Sequence, residues 1–298
     1  MIIDAHVHSY PPEVLAGPQA WGRAHGEGRW TECVATPGSR SVQGWADLPR
    51  LLSDMARAGI GQCVLQGWYW ESQDSCDRHN AWHAEAIRLH PGRLRGFAAV
   101  QPAAGRRAFE AVERALDSGL CGVGEVLPQA QGFAFSDPWW RRIVALAAEK
   151  KAPITLHVTD PLMAGGPAGP ATPLGDYLQL ASDFPEASFI LAHWGGGLPF
   201  YELNRSVCSR LSNVYYDTAA SPLLYDRSIF RRVADLVGPG KILFGSDYPL
   251  LVHPRETREP GFELLLRDVA ESGLTVEERA RILGGNAQAL LEKIVGTG

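Results

Sequence analysis

The chain has 298 residues, of which 45% are hydrophobic, and its 28 basic and 33 acidic residues give a formal net charge of −5. This length is ordinary for one (β/α)8 barrel with a large core, so we expect a single domain over residues 1–298. The slightly acidic chain has no block of like charge, which argues against nucleic acid or an anionic membrane surface as its partner.

Eight short apolar runs, rich in β-branched residues and bounded by Gly, Pro or Asp, predict β-strands. They are residues 2–8, 61–67, 95–101, 121–126, 153–158, 188–193, 213–217 and 241–247. Helical periodicity fills the gaps at 47–58, 77–90, 106–117, 137–150, 174–183, 199–211 and 223–236, and more helices are expected within 260–294. This alternation predicts an α/β fold, a (β/α)8 (TIM) barrel with extra C-terminal helices.

Residues 9–46 interrupt the alternation directly after the first strand. The segment is rich in Gly and Pro and contains Trp21, Trp30 and Trp45. A connection of this length without clear periodicity is typical of a functional lid or of a disordered segment, and its aromatic residues argue against disorder. Because βα loops build the active sites of such barrels, we expect 9–46 to form a lid over the barrel mouth.

Potential metal ligands stand at the ends of several predicted strands. His6 and His8 are two residues apart on the first strand, so their side chains point to the same side, which in a barrel is inward. His157 ends the fifth strand, and Asp247 ends the eighth strand, which neighbours the first when the barrel closes. Three or four N and O ligands with a position left for water are typical of catalytic zinc. We therefore predict that these four residues bind one divalent cation.

Three side chains have predicted roles in or beside the chemistry. Asp247 is expected to accept a proton from a metal-activated water and to return it to a leaving group. His193 ends the sixth strand, where it either holds or protonates substrate, ligates a second ion, or is a buried histidine bonded to backbone. Glu125 ends the fourth strand and is assigned to the metal site, bridging two ions or replacing another ligand. Its alternatives are an acid/base group and a structural ion pair with an arginine.

Aromatic and acidic residues follow two other strands. Trp68, Tyr69 and Trp70 come directly after the second strand, where they either line the mouth and stack on a planar or cyclic substrate, or pack beneath the lid. Asp217 ends the seventh strand, where it either contacts substrate or caps a helix. We assign Trp68, Trp70 and Asp217 to substrate binding.

With these motifs placed, the chain resembles the amidohydrolase superfamily. It is most similar to the amidohydrolase-related branch, which includes aminocarboxymuconate-semialdehyde decarboxylase, resorcylate decarboxylases and several lactonases. The matching motifs are DxHxH (Asp4, His6, His8), the histidines of ITLH and LAHWGG, LFGSDYP around Asp247, and the GGNAQALL end. The combination covers nearly the whole chain and is specific for the superfamily, but not for one reaction.

The resemblance implies a (β/α)8 barrel that holds a divalent ion, often zinc. The four residues predicted above to bind one ion match the ligand positions of a one-metal site, and His193 matches the catalytic or second-metal histidine. The lysine that many two-metal members carboxylate is absent, and the fourth strand offers Glu125, similar to members with a bridging carboxylate. His6 stands where resorcylate-type decarboxylases commonly carry Glu. One ion or two therefore both remain open.

Two functions follow from these assignments. The first is metal-dependent hydrolysis of a small-molecule amide, lactone or ester, with Asp247 as the general base. The alternative is metal-dependent, non-oxidative decarboxylation of an aromatic or muconate-like carboxylic acid. The resemblance also implies a homodimer. Five cysteines without a CxxC pair and a start without a basic n-region indicate a cytoplasmic protein with reduced thiols, and no apolar run is long enough for a membrane span.

Overall fold

The computed structural model describes residues 1–35, 41–163 and 171–295. Its parallel strands run in chain order as two sheets: β1 (Ile2–His8), β2 (Ile60–Gln66) and β3 (Leu94–Gly96), then β4 (Val123–Val126), β5 (Ile154–Leu156), β6 (Phe189–Leu191), β7 (Val214–Asp217) and β8 (Ile242–Leu243). Single parallel bridges join Ala98 to Val123 and Val7 to Tyr248. These bridges connect the two sheets at both edges, so the strands close into the predicted (β/α)8 barrel.

Helices follow the strands on the outside of the barrel. The longer ones are Leu48–Ala58, Gln73–Leu89, Arg106–Asp117, Pro138–Glu149, Leu174–Asp183, Arg205–Arg210, Ser228–Val237 and Glu263–Ala270, and the chain continues with Val276–Ala280, a π-turn at Arg281–Gly285 and Asn286–Val295. Short helical segments lie at Pro102–Ala104, Pro128–Gln131, Ser221–Leu224 and Pro239–Lys241. Among the described residues, no helix is both long and apolar enough to cross a membrane.

Local chemistry explains where several helices begin. Asp47, Ser72 and Asp137 each accept a backbone N–H of the first helical turn, which satisfies a donor that has no partner within the helix. Pro138 follows Asp137 at the first helical position, where its missing N–H would have no partner within the helix. The predicted helix 199–211 is wrong in its first half: residues His193–Leu203 form 3-10 turns with left-handed backbone at their start, since three glycines and Pro199 oppose a regular helix.

The strands bury apolar side chains on both faces. Val64 packs in a cluster inside the barrel with Ile190 and Leu243, whereas its neighbour Leu65 packs outward with the residues of helix Leu48–Ala58. The C-terminal helix adds three apolar side chains to the inside cluster: Ala287, Leu290 and Leu291. This helix therefore covers the end of the barrel opposite the one where the strands finish.

β1 departs from strict alternation just before its histidines. The pairing register with β2 shifts between Asp4 and Val7, and the Asp4 carboxylate accepts the backbone N–H of His6 at 3.0 Å. As a result, Ala5 belongs to the inside cluster, while Val7 packs outward. His6 and His8 both face inward. Because of the irregular pairing, the inward-facing side chains of β1 change from apolar ones in the barrel interior to histidines at the mouth.

The described residues of segment 9–46, which are 9–35 and 41–46, are packed, and residues 36–40 lie outside the described part of the chain. It contains short helices at Pro12–Leu15, Pro18–Ala24 and Gly28–Trp30, and a π-turn at Thr31–Ala35. The fully buried Glu27 accepts the backbone N–H groups of Glu71 (2.7 Å) and Ser72 (3.2 Å). A buried carboxylate thus ties the predicted lid to the start of helix Gln73–Leu89.

Candidate metal centre

The first group of polar side chains gathers around the end of β1. The Nε2 atoms of His6 and His8 lie 3.3 Å apart. Asp247 Oδ1 lies 3.4 Å from Nε2 of His8 and 3.7 Å from Nε2 of His6. Glu125 Oε2 lies 3.7 and 3.8 Å from the same two nitrogen atoms. The ligand atoms of His6, His8 and Glu125 thus all lie within 4.8 Å of one another, and Asp247 Oδ1 lies beside the two histidines.

A second group uses the other oxygen of Glu125. Oε1 lies 2.9 Å from His157 Nδ1 and 3.6 Å from His193 Nε2, and these two ring nitrogens are 3.2 Å apart. The structure thus places His157 with His193 rather than with His6 and His8. The predicted one-ion set is divided between two neighbouring groups, and Glu125 belongs to both.

The donor spacing fits divalent cations. Ligand atoms about 2.1 Å from a tetrahedral zinc ion lie about 3.4 Å from one another, and the spacing in the first group is 3.3 to 3.8 Å. His193 Nδ1 donates to the carbonyl oxygen of Ala219 at 3.2 Å, so the Nε2 of the neutral ring presents its lone pair to the centre. The second group offers three donors, so a cation held there would have room for water or substrate as a further ligand.

Left-handed backbone brings two of these side chains to the mouth. Asp247 has φ 66° and His193 has φ 59°, and both follow strand ends. The Asp247 N–H donates to the carbonyl oxygen of His6 at 2.9 Å, which holds the turn against β1. A Cβ at Gly196 would lie 2.8 Å from Val158 Cγ1, so the run after His193 requires glycine. Strained backbone of this kind is common where function dictates side-chain direction.

Asp217 supports both groups. Its fully buried carboxylate accepts His6 Nδ1–H at 2.8 Å through Oδ2 and the backbone N–H of His193 at 2.9 Å through Oδ1. The first contact leaves Nε2 of His6 free to face the centre. Both oxygens of Asp217 are thus used within the protein, with Oδ1 also accepting the backbone N–H of Ala219 at 3.0 Å, and helix Ser221–Leu224 has no side-chain cap. Substrate contact by Asp217 stays a prediction.

Asp217→Asn is expected to lower metal affinity by about 10- to 100-fold, the usual effect of removing a carboxylate that orients a ligating histidine. An amide NH2 facing His6 Nδ1 would favour the tautomer in which Nε2 carries the proton. Metal equivalents measured against a chelator series would show this shift. Asp74→Asn, whose side chain is 70% exposed, is the matched control. Equal affinity of the Asp217 variant and the unmodified protein would contradict the assignment.

The charges of the cluster also favour a cation. Although burial alone would lower the pKa of His6, the carboxylates of Asp217 and Glu125 raise it to about 10. Burial would also lower the pKa of His193, but Glu125 and Asp247 raise it to about 9. Conversely, burial would raise the pKa of Asp247, and the neighbouring histidines lower it to about 2. The buried carboxylates thus stabilise positive charge at the centre, carried either by protonated histidines or by a bound cation.

Within the described chain, histidines are the only basic side chains within ion-pair distance of these carboxylates. Among the described residues, no lysine or arginine lies within ion-pair distance of Glu125, Asp247 or Asp217. The alternative of a Glu125–arginine ion pair is therefore not what the structure shows. A divalent cation would supply the missing charge and would displace protons from the histidines as it binds.

The aromatic residues after β2 divide between two environments. The Trp68 ring lies 5.5 Å from His8, and Tyr69 stacks on Trp68 at 4.1 Å and lies 5.4 Å from His157. Trp70 is buried among Tyr10, Trp21 and Trp30 beneath segment 9–46. The structure thus places Trp70 where the packing alternative has it, whereas Trp68 and Tyr69 lie beside the histidines of the centre.

His79, which the sequence places either in a ligand pair with His83 or on a helix surface, is instead buried and fixes the loops around the centre. Its Nδ1 accepts Trp70 Nε1–H at 2.9 Å, and its Nε2 donates to the carbonyl oxygen of Ser9 at 2.8 Å. One imidazole thereby joins the segments that follow β1 and β2. Its burial on helix Gln73–Leu89, facing two strand ends, is the signal that identifies it, and a single sequence does not show burial.

Comparison with known proteins agrees with the barrel fold. Solved structures similar along nearly their whole length include 5-carboxyvanillate decarboxylase from Sphingomonas paucimobilis (14% identity, TM-score 0.74, 98% of each chain covered). Another is 4-oxalomesaconate hydratase from Rhodopseudomonas palustris (18%, 0.68, 99% of this chain and 97% of that one). A third is a dihydroxybenzoic acid decarboxylase from a Polaromonas species with bound manganese and the inhibitor 2-nitroresorcinol (18%, 0.70, 98% and 96%). At these identities they show a shared fold.

The family itself is shown by sequence. A family model described as amidohydrolase (Amidohydro_2) matches residues 3–293, a span that includes all of the residues in both groups. The relatives of similar fold include amidohydrolase-like barrels, such as one from Staphylococcus aureus at 20% identity and a TM-score of 0.67, with 98% of this chain and 99% of that one covered. The chain therefore belongs to the amidohydrolase family.

Proposed function

We propose that this chain is a metal-dependent hydrolase that cleaves an amide, lactone or ester of a small molecule. The observation that carries the proposal is that Glu125 presents one carboxylate oxygen to each of the two histidine groups. Asp247 Oδ1 lies 3.4 Å from Nε2 of His8, on the side of the first group. This arrangement suits two cations that share one small reaction space.

Each residue has a distinct task in this proposal. His6, His8 and Asp247 would hold one cation and His157 with His193 the other, with Glu125 between them. When bound, such ions polarise a carbonyl oxygen and acidify water. Asp247 is ionised at neutral pH, so its carboxylate accepts a proton from the attacking water and returns it to the leaving group. Trp68 offers a flat apolar surface beside His8 for the substrate.

Zinc is the first candidate for the metal. Imidazole nitrogen and carboxylate oxygen at this spacing are its usual ligands in catalytic sites. The same donors also suit manganese, the ion of one structural neighbour. Both ions therefore belong in any reconstitution of the purified chain.

The position of Asp247 favours hydrolysis over decarboxylation, because hydrolysis needs a proton acceptor for the attacking water, whereas decarboxylation needs a proton delivered to carbon. In the described chain, no lysine or arginine lies beside the carboxylates of the centre, so a substrate carboxylate would depend on the cations alone for its binding. Decarboxylation of an aromatic acid remains the second candidate, because Trp68 and Tyr69 would stack on a ring and two of the compared structures are decarboxylases.

One experiment separates the two reactions. The chain reconstituted with zinc or manganese would be given lactones, amides and esters, including p-nitrophenyl acetate, and a panel of aromatic carboxylates in water enriched in oxygen-18. Hydrolysis is expected to place one solvent oxygen in the acid product, together with close to two metal equivalents per chain. Release of CO2 from the carboxylates, without hydrolysis of any carbonyl substrate, would overturn the proposal in favour of decarboxylation.

A further inference from the structure

We propose that Tyr69 is a further catalytic residue, whose hydroxyl donates a hydrogen bond to the substrate carbonyl oxygen as negative charge develops there. The inference rests on the proposed hydrolysis and adds to it the group that stabilises the oxyanion. It stands on the location of Tyr69, on the side from which it approaches the centre, and on the hydrogen-bonding state of its hydroxyl.

Tyr69 is located where it covers the second group. It is half-buried three residues after β2, and its ring meets the His157 ring edge-on, with centroids 5.4 Å apart. Trp68, on which it stacks, approaches His8 of the first group at 5.5 Å. The two stacked rings therefore extend over both histidine groups, and a substrate that enters the centre meets them.

Tyr69 lies beside His157, on the side of the centre away from Asp247. The Asp247 carboxylate lies within 3.9 Å of His6, His8 and His193, and among the described ion pairs it has no contact with His157. His157 is the histidine that Tyr69 contacts. A carbonyl group between the two would have the proton acceptor on one side and the phenol on the other.

The hydroxyl of Tyr69 is available for a substrate. Other tyrosine hydroxyls around the barrel mouth donate to the protein: Tyr177 to the carbonyl oxygen of His157, Tyr225 to Asp160 and Tyr248 to Asp54. Tyr69 donates to none of the described residues. A phenol at a polar mouth without a protein partner is a donor kept for another molecule.

The segment that carries Tyr69 is held firmly, as a preorganised donor requires. Gly67 N–H donates to the carbonyl oxygen of Gly124, and Glu125 N–H donates to that of Gly67, both at 2.7 Å. A Cβ at Gly67 would lie 2.7 Å from Ala99, so β2 continues close to its neighbour up to this point. On the other side, Trp70 is anchored by its bond to His79. Tyr69 is therefore fixed between the strand that leads to Glu125 and the aromatic cluster.

The test compares Tyr69→Phe with the unmodified holoenzyme on p-nitrophenyl acetate, and measures inhibition by the tetrahedral analogue p-nitrophenyl methylphosphonate. Removing one oxyanion donor is expected to lower kcat by about 100-fold, with KM within about threefold. The inhibition constant of the phosphonate is expected to rise in step with the fall in kcat/KM, while metal equivalents stay unchanged. Tyr201→Phe, with the residue 60% exposed, is the matched control and is expected to retain full activity.

The outcomes distinguish the inference from the function on which it rests. If Tyr69→Phe keeps the kcat of the unmodified enzyme while Asp247→Asn loses it, the role of Tyr69 is overturned and the hydrolase stands. If Tyr69→Phe loses metal, the residue only positions His157, which also overturns the inference. If the unmodified enzyme and Asp247→Asn cleave the ester no differently, the proposed function fails together with the inference.

Discussion

Glu125→Gln is expected to reduce the bound metal from about two equivalents per chain to one or none. The amide has one acceptor oxygen instead of two, and its NH2 group would face one of the two histidine pairs. The centre also loses a buried negative charge that both groups share. The loss of affinity should therefore exceed the 10- to 100-fold that is typical when a residue one contact further from the ion is removed. Elemental analysis after dialysis, with ester hydrolysis on the same sample, measures both effects.

Glu202→Gln provides the control for this experiment. Glu202 is also a buried glutamate, but it bonds Lys241 Nζ and the Tyr216 hydroxyl and contacts none of the four histidines in the described structure. Its variant is expected to lose stability and to keep both metal equivalents. If Glu125→Gln retained two equivalents and normal turnover, the bridging role of Glu125 would be wrong.

Asp247→Asn is expected to retain metal and to lose turnover. The amide oxygen still offers one neutral ligand atom, and Glu125 with the histidines remains in place. An amide cannot accept the proton of the attacking water, so kcat should fall by about 10²- to 10⁴-fold, the usual contribution of a general base. Steady-state kinetics and metal analysis on one preparation separate this loss from simple loss of the ion.

The control for Asp247 is a carboxylate at the same mouth. Asp160 lies three residues after His157, accepts the Tyr225 hydroxyl at 3.0 Å and forms no ion pair with a histidine of the centre in the described residues. Asp160→Asn should keep kcat within a few-fold. Normal turnover by Asp247→Asn would require another base and would remove the mechanism proposed for this centre.

Much of the fold was predictable because strand and helix periods alternate plainly along the chain. In a parallel barrel, strand ends meet at one mouth, so residues as distant as His6 and Asp247 could be placed together without coordinates. The short helices within 9–35 were not predicted, because helices of three to seven residues span too few turns to show a period. The 3-10 turns at His193–Leu203 escaped prediction for a related reason: left-handed backbone has no hydrophobic period.

The sequence predicted which residues form the centre better than it predicted how they are arranged there. The division of the histidines into two groups depends on side-chain directions and on the register shift between Asp4 and Val7, neither of which residue order specifies. Asp217 serves His6 from a strand that does not pair with β1 and lies 211 residues away in the chain. Trp68 and Trp70 are two residues apart, like His6 and His8, but their side chains point to different environments. They lie after the end of β2, where side chains no longer alternate between the two faces of a strand.

The centre straddles the seam at which the barrel closes. β1 is the first strand to be synthesised and β8 the last, and their contact depends on single hydrogen bonds such as Ala5 N–H to the carbonyl oxygen of Phe244 and His8 N–H to that of Tyr248. His6 and His8 are therefore synthesised long before Asp247, with the other strands of the barrel between them. A nascent chain that stops before β8 lacks Asp247 and therefore part of the proposed ligand set. A cation bound by residues of β1 and by Asp247 would stabilise the contact between β1 and β8 that closes the barrel.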